Sequence, residues 1–421
     1  MFSLCKKLCQ WICCGCCCGV RQTKTRKKHK RKTQLSPTTR TTSTDKGIRR
    51  SRVPQVVIKS FSELLDEKEI LELIPEDKDV GKDAIEYLRR RGFDLSMNDT
   101  NRLGSGTYAV VYKAWYRGRS LTGTENTTIA CKVIKDKKQL SDRQPYHPLD
   151  KLRTELAFLA SLKSSEFIVK PIKYFVSNRQ EKREDHIRAY VFMEFASGGS
   201  LKTLIKTTGK PMDELTAKHY FGQIVRGVRF LHKNGIAHRD LKTDNILMFP
   251  AMVDNETPFV CKISDFGTTR IGYENNQFIM KNDYVGTRQF MAPEILACNP
   301  VFQSKPAYDV FVADCWALGV ILYVMIVGGS YPFRIPNKRR STLVSAIRCQ
   351  KQQLYDWPDN YRQQQQSPPL TKPCIELIRR ILIADTNLRL SIDEIVASEW
   401  LIGETTLSDS LAVGSDRMTD R

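Results

Sequence analysis

Four short segments constrain this chain more than any other feature: Ile129-Ala130-Cys131-Lys132, His238-Arg239-Asp240-Leu241-Lys242-Thr243-Asp244-Asn245, Asp265-Phe266-Gly267 and Ala292-Pro293-Glu294, in that order. Phosphoryl transfer asks a protein for positioning and charge neutralisation. It needs a cation for nucleotide phosphates, oxygen ligands for magnesium and a carboxylate facing the incoming hydroxyl. The four segments offer one residue for each role.

The segments and their order resemble the eukaryotic protein kinase family. The match runs from about Asp94 to Leu401, roughly three quarters of the chain. It implies an α+β, bilobal protein kinase fold over residues 97–402, with a small β-rich N-lobe and a larger helical C-lobe. It further implies ATP and Mg2+ as cofactors, protein substrates, and serine or threonine hydroxyls as acceptors.

By that match, Asp240 accepts or orients the proton of the acceptor hydroxyl and Lys242 lies against the γ-phosphate. Asn245 and Asp265 supply hard oxygen ligands for the metal ions. Thr287 matches the threonine that bonds the catalytic aspartate and lysine. Lys132 projects from a strand toward the α- and β-phosphates, and a buried ammonium needs a carboxylate partner. Glu155, in the amphipathic run Leu152 to Leu159, is the candidate partner.

Nucleotide binding falls, on the same resemblance, to Leu103, Gly104, Ser105, Gly106, Val111, Ala130, Lys132, Met193, Glu194, Ala196 and Leu247. Glycine at 104 and 106 lets backbone amides approach phosphates closely. The family's third glycine is Ala109 here. Met193 is expected at the back of the adenine pocket, with Glu194 and Ala196 reaching adenine through backbone groups.

Lys242, two residues after the catalytic aspartate, resembles serine/threonine kinases, and Thr268 leans toward threonine acceptors. Arg239 would receive an activation-loop phosphate. Nine residues before Ala292, where that phosphothreonine would stand, the chain has Asp283. Asp283 could pair with Arg239 and partly replace the phosphate; the alternative is a solvated aspartate, with phosphorylation at Tyr284 or Thr269. Asp314 is expected to anchor the catalytic loop, and Glu294 to pair with Arg389.

Tyr331-Pro332-Phe333 and the run Ile392 to Leu401 resemble the calcium/calmodulin-dependent kinase group, and Arg89-Arg90-Arg91-Gly92-Phe93 is similar to the testis-specific serine kinases. Ser200 stands where basophilic relatives often have glutamate, and Asp244 replaces the usual glutamate before Asn245, so arginine upstream of the acceptor is not implied. The rival reading is a pseudokinase scaffold, catalytically silent and docked at membranes. Lys132, Asp240, Asn245 and Asp265 are all present, which weighs against it.

Charge and cysteine separate the amino terminus from the rest. The net charge is +21, and residues 1–52 hold 15 Lys/Arg against one acid, Asp45. Seven of the 13 cysteines lie in the first 18 residues. The other six are scattered, which suits a reducing compartment. Residues 1–20 read as a Cys-rich acylated segment, 21–59 as a basic disordered linker, 60–96 as an acidic helical lead-in and 403–421 as a disordered tail. In the lead-in, Ser60 with Glu63 resembles a capping box for a helix carrying Leu64, Leu65, Leu71 and Ile74, stopped by Pro75. A second, short helix is expected over Ala84 to Arg91, closed by Gly92; the lead-in is expected to pack lightly on the small lobe, the alternative being a regulatory or partner-binding role.

Phe2 excludes myristoylation, and the run Cys315 to Val327 is too short to span a bilayer. Clustered cysteines followed by Arg26 to Lys32 instead suggest S-palmitoylation plus a polybasic patch, placing residues 1–32 on an anionic membrane surface in the cytoplasm. Metal binding by the thiolates and a nuclear address are the alternatives. Nothing indicates sequence-specific nucleic-acid binding, and the oligomeric state is left open.

Overall fold

The computed structural model describes residues 71–74, 84–106, 108–117, 126–134, 165–177, 188–251, 259–271, 273–274, 277–278, 280–335, 340–354 and 367–402. All lie in the compact unit Pro54–Arg421. The expectations for residues 1–70, 75–83 and 403–421, and for Glu155, lie outside the described residues.

Runs rich in β-branched and aromatic residues build the N-lobe sheet. Its strands are β1 (Leu71–Ile74), β2 (Phe93–Leu95), β3 (Arg102–Ser105), β4 (Ala109–Arg117), β5 (Asn126–Ile134), β6 (Pro171–Ser177) and β7 (Arg188–Glu194), with helix α1 (Ala84–Arg90) between β1 and β2. The spatial order is β1-β6-β7-β5-β4-β2, and β3 also pairs with β4. Every pairing is antiparallel except β1 with β6, which is parallel from Leu71↔Tyr174 to Ile74↔Ser177.

Pleating sorts these strands into two faces. On one face Ile129, Cys131, Ala114, Phe175, Tyr190 and Phe192 join Tyr87, Leu88, Phe93 and Leu95 in a closed core. Phe93 lies 4.5 Å from Phe192 and 5.2 Å edge-on from Phe175 between ring centroids. The opposite face carries Val111, Ala130, Lys132 and Met193, because Val111 pairs with Lys132 and Ala130 with Met193.

Two expectations for the lead-in are corrected. Leu71–Ile74 is a strand and not the tail of a helix. Four residues declare no period of their own; the edge of β6 offers an unpaired ladder that they complete. Nor does the second helix pack lightly: α1 is where the chain reads it, closed by Gly92 at φ +87, but Leu88 is fully buried. With β2 in the sheet, the lead-in is part of the N-lobe's own core.

The C-lobe is helical: α2 (Leu201–Thr208), α3 (Glu214–Lys233), α4 (Pro293–Ala297), α5 (Val310–Ile326), α6 (Arg340–Lys351), α7 (Lys372–Ile381) and α8 (Ile392–Val396). Short strands accompany it, among them β8 (Ile236–Ala237), β9 (Ile246–Pro250), β10 (Phe259–Ile263) and β11 (Arg270–Ile271), paired as β9 with β10 and β8 with β11. Every residue of α5 from Ala313 to Ile326 is buried, so a helix apolar on all sides except at Asp314 serves as the lobe's centre. Gly319 allows the close approach of α7, since a Cβ there would sit 2.6 Å from Ile381. Among the described residues no helix is long and apolar enough to cross a membrane.

Candidate active site

The catalytic segment is a loop between β8 and β9, and α5 holds it from below. Asp314 accepts hydrogen bonds from the backbone N–H groups of His238 and Arg239, both at 2.8 Å, and pairs with His232 Nε2 at 3.1 Å. Those bonds hold Arg239 in the left-handed region at φ +68, a conformation that costs a non-glycine residue free energy unless its surroundings enforce it.

This turn presents Asp240. Its Oδ2 accepts from Lys242 Nζ at 2.7 Å and its Oδ1 from Thr287 Oγ1 at 2.7 Å, while Lys242 also donates to Thr287 at 3.0 Å. The three residues named from sequence therefore close one triangle. Thr287 follows Gly286, whose φ is +116 and whose Cβ, if present, would lie 2.7 Å from the Arg239 carbonyl oxygen. Only glycine lets the activation segment approach the catalytic loop this closely.

Asn245 Nδ2 donates to the Asp240 carbonyl at 2.9 Å. That bond fixes the amide orientation and leaves its Oδ1 as a ligand atom. Asp265 is also left-handed, at φ +66, and Phe266 after it is buried against the His238 ring, 5.4 Å away. Its carboxylate accepts from Lys132 Nζ at 2.8 Å, an ion pair that joins the N-lobe face to the C-lobe. The Lys132 charge holds the Asp265 carboxyl far below the usual carboxylate range against the opposing effect of burial. An ionised carboxylate and an amide oxygen make a donor set suited to a hard divalent cation.

Above the triangle lies the face of β4, β5 and β7. Val111, Ala130 and Met193 share it with Lys132, as an adenine pocket requires. Leu247 approaches from β9, which bridges to Ser200. Leu103, Gly104 and Ser105 are exposed on β3, and Gly106 N–H donates to the Ala109 carbonyl at 2.9 Å. Among the described residues, a Cβ on Gly104 would meet no atom within 4 Å. Ala109 is buried at the start of β4. Ala196 closes a turn by accepting from Gly199 N–H at 3.0 Å.

Glu194 does more than sequence reading gave it. Its two carboxylate oxygens accept from Lys170 N–H at 2.7 Å and Lys262 Nζ at 2.6 Å, which clamps the strand end to β10. Lys262 sits 4.4 Å from the Phe249 ring centroid. These partners are distant in sequence, and no local pattern marks them.

In the activation segment Arg239 and Asp283 form an ion pair, so the pairing read from sequence is present. Tyr308, which sequence reading missed, donates to both the Asp283 carbonyl and its carboxylate, at 3.0 and 3.2 Å. Burial alone would raise the Asp283 carboxyl, but the Arg239 hydrogen bond and charge hold it below its ordinary value. Thr269 is fully buried and Tyr284 is half-buried with its hydroxyl enclosed, so in this conformation neither hydroxyl is presented for modification. Thr268 Oγ1 donates to the His238 carbonyl at 3.2 Å.

Glu294 and Arg389 form the expected buried pair, two-pronged at 2.6 and 3.0 Å. Two lobes with a lysine, a carboxylate-amide metal-ligand set and an aspartate-lysine-threonine triangle facing one cleft define a phosphotransferase of the protein kinase type. The chain belongs to that family: residues 97–401 match the protein kinase domain. It is 31% identical to human testis-specific serine/threonine-protein kinase 1 over 342 residues, covering 80% of this chain and 79% of that one. It is also 31% identical to mouse testis-specific serine/threonine-protein kinase 2 over 321 residues, 76% of each. A third relative is CBL-interacting protein kinase 16 of rice, 31% identical over 299 residues, 71% of this chain and 55% of the relative. The chain is thus a protein serine/threonine kinase by family.

Proposed function

We propose that this kinase is catalytically active, transferring the γ-phosphoryl group of ATP to serine and threonine hydroxyls of proteins. The observation that carries the reading is the closed triangle of Asp240, Lys242 and Thr287 beside the Lys132–Asp265 pair. Pseudokinase scaffolds need none of this preorganisation.

Asp240 stands where it can orient the acceptor hydroxyl and take up its proton as the oxygen–phosphorus bond forms and the bond to the leaving ADP breaks. Lys242 carries positive charge to the transferring group, and Thr287 keeps both side chains in register. Asn245 and Asp265 would hold Mg2+, which when bound neutralises phosphate charge. Lys132 lies on the face that takes the nucleotide. Incorporation of phosphate into protein by the wild type, absent in Asp265→Asn, tests the reading; equal incorporation by both would defeat it.

The Asp283–Arg239–Tyr308 cluster supports basal activity without an activation-loop phosphate. One carboxylate brings less charge than a phosphate, so the replacement is partial.

The sequence of residues 1–32 supports membrane association by S-acylated cysteines and a basic patch. Hydroxylamine-sensitive membrane binding, lost when the seven cysteines become serine, is the expected result. Binding unchanged by that substitution would contradict it.

A further inference from the structure

The ion pair between Lys202 and Asp244 adjoins the catalytic segment, two residues beyond Lys242, and has no part in the chemistry above. Lys202 Nζ donates to Asp244 Oδ1 at 2.7 Å, with the side chains 38% and 41% exposed. Asp244 precedes Asn245 in the tight turn Thr243–Asn245, and Asn245 is bonded to Asp240. The acceptor residue that meets Asp240 must therefore pass close to this pair.

Both partners stand on rigid supports. Helix α2 begins at the cap Ser200, which accepts from Thr203 N–H and bridges to Leu247. Gly198 N–H donates to the Met248 carbonyl at 3.1 Å and Met248 N–H to the Gly199 carbonyl at 2.9 Å, which tucks the preceding turn onto β9, and a Cβ at 198 would lie 2.6 Å from Phe259. Leu201 and Ile205 face the core. That leaves Lys202 and Lys206, four residues apart, on the outer face of a helix with no acidic residue.

We infer that Lys202 is a specificity-determining residue, favouring an acidic side chain on the flank of the acceptor peptide that crosses α2 and disfavouring a basic one. The inference rests on the proposed kinase reading. A substrate guanidinium approaching Asp244 would have to displace a lysine already bonded to it, within the field of Lys206. A substrate carboxylate meets no such competition, since an ammonium has three donors and Asp244 takes one. The Asp244 hydrogen bond and charge also raise the Lys202 pKa against the effect of burial, so the cation persists at neutral pH.

The test uses the full chain and acceptor peptides in which each flanking position is in turn Glu, Ala or Arg. Wild type is expected to show kcat/KM about three- to five-fold higher for Glu than for Ala at one flank position, with Arg no better than Ala. Lys202→Ala removes that gain through KM with kcat unchanged, and Lys202→Glu transfers it to Arg. Arg preferred by the wild type, no flank preference, or a preference untouched by Lys202→Glu would overturn the inference while leaving the kinase reading intact. A folded wild type that phosphorylates neither peptide nor itself would instead overturn the kinase reading, and this inference with it.

Discussion

Arg239 and Asp283 are joined in an ion pair beneath the activation segment, and the Tyr308 hydroxyl, 3.3 Å from the Arg239 guanidinium, donates to Asp283 from the other side. The arginine precedes the catalytic aspartate, so whatever neutralises it also steadies the turn that presents Asp240. A carboxylate supplied by the chain itself does this without an upstream enzyme.

The cluster gives a mutational prediction. Enzyme made in bacteria and treated with phosphatase should be active, and Asp283→Ala should lower its kcat/KM about three- to ten-fold, the scale of one charge-assisted hydrogen bond that is partly exposed to solvent. An indifferent variant would count against the role given to Asp283.

Its pH dependence has a definite sign. The Asp283 carboxyl is depressed in the folded state, so the stability it contributes is present above the ordinary carboxylate pKa and lost only as pH falls through the lower folded value. A phosphate in its place would titrate near pH 6. Between pH 5 and 8 the ratio of wild-type to Asp283→Ala activity should therefore stay flat; a step near pH 6 would point to a phosphate on Arg239.

Gly286→Ala should harm both fold and activity. The new methyl would meet the Arg239 carbonyl oxygen at 2.7 Å in a left-handed backbone, a strain of about 1–3 kcal/mol. Thermal unfolding should show the loss of stability, and kcat should fall because Thr287 shifts. A variant with wild-type kcat would mean that the contact is easily relaxed.

In the N-lobe, Leu88→Ala should cost about 2–5 kcal/mol, the range for emptying a fully buried leucine site. A chain begun at Met97, where the family match starts, should show a destabilised N-lobe by hydrogen exchange, because Leu88, Phe93 and Leu95 are gone from the core. Unchanged exchange in β5 and β7 would show that α1 is dispensable.

Much of the site was legible because its parts are local. Asp240, Lys242 and Asn245 sit within six residues, and a motif of that kind carries its chemistry in its spacing. The bilobal α+β fold followed from the same motifs. What escaped reading was set by distant partners: Tyr308 beside Asp283, Lys262 beside Glu194, and Lys202 beside Asp244. Strand β1 escaped for another reason. Leu71–Ile74 is too short to declare a period, and its conformation depends on the free edge of β6. Helix α1 and its closing Gly92 were legible, but which surface would cover the helix was not.

Phosphate transfer by the full chain with Asp240 intact or replaced tests the central claim most directly. With radiolabelled ATP, Mg2+ and a protein acceptor, wild type should incorporate phosphate into serine or threonine, and Asp240→Asn should reduce kcat roughly 10²–10⁴-fold, the range for loss of a positioned general base. Equal incorporation by both proteins, or none by a folded wild type, would contradict it.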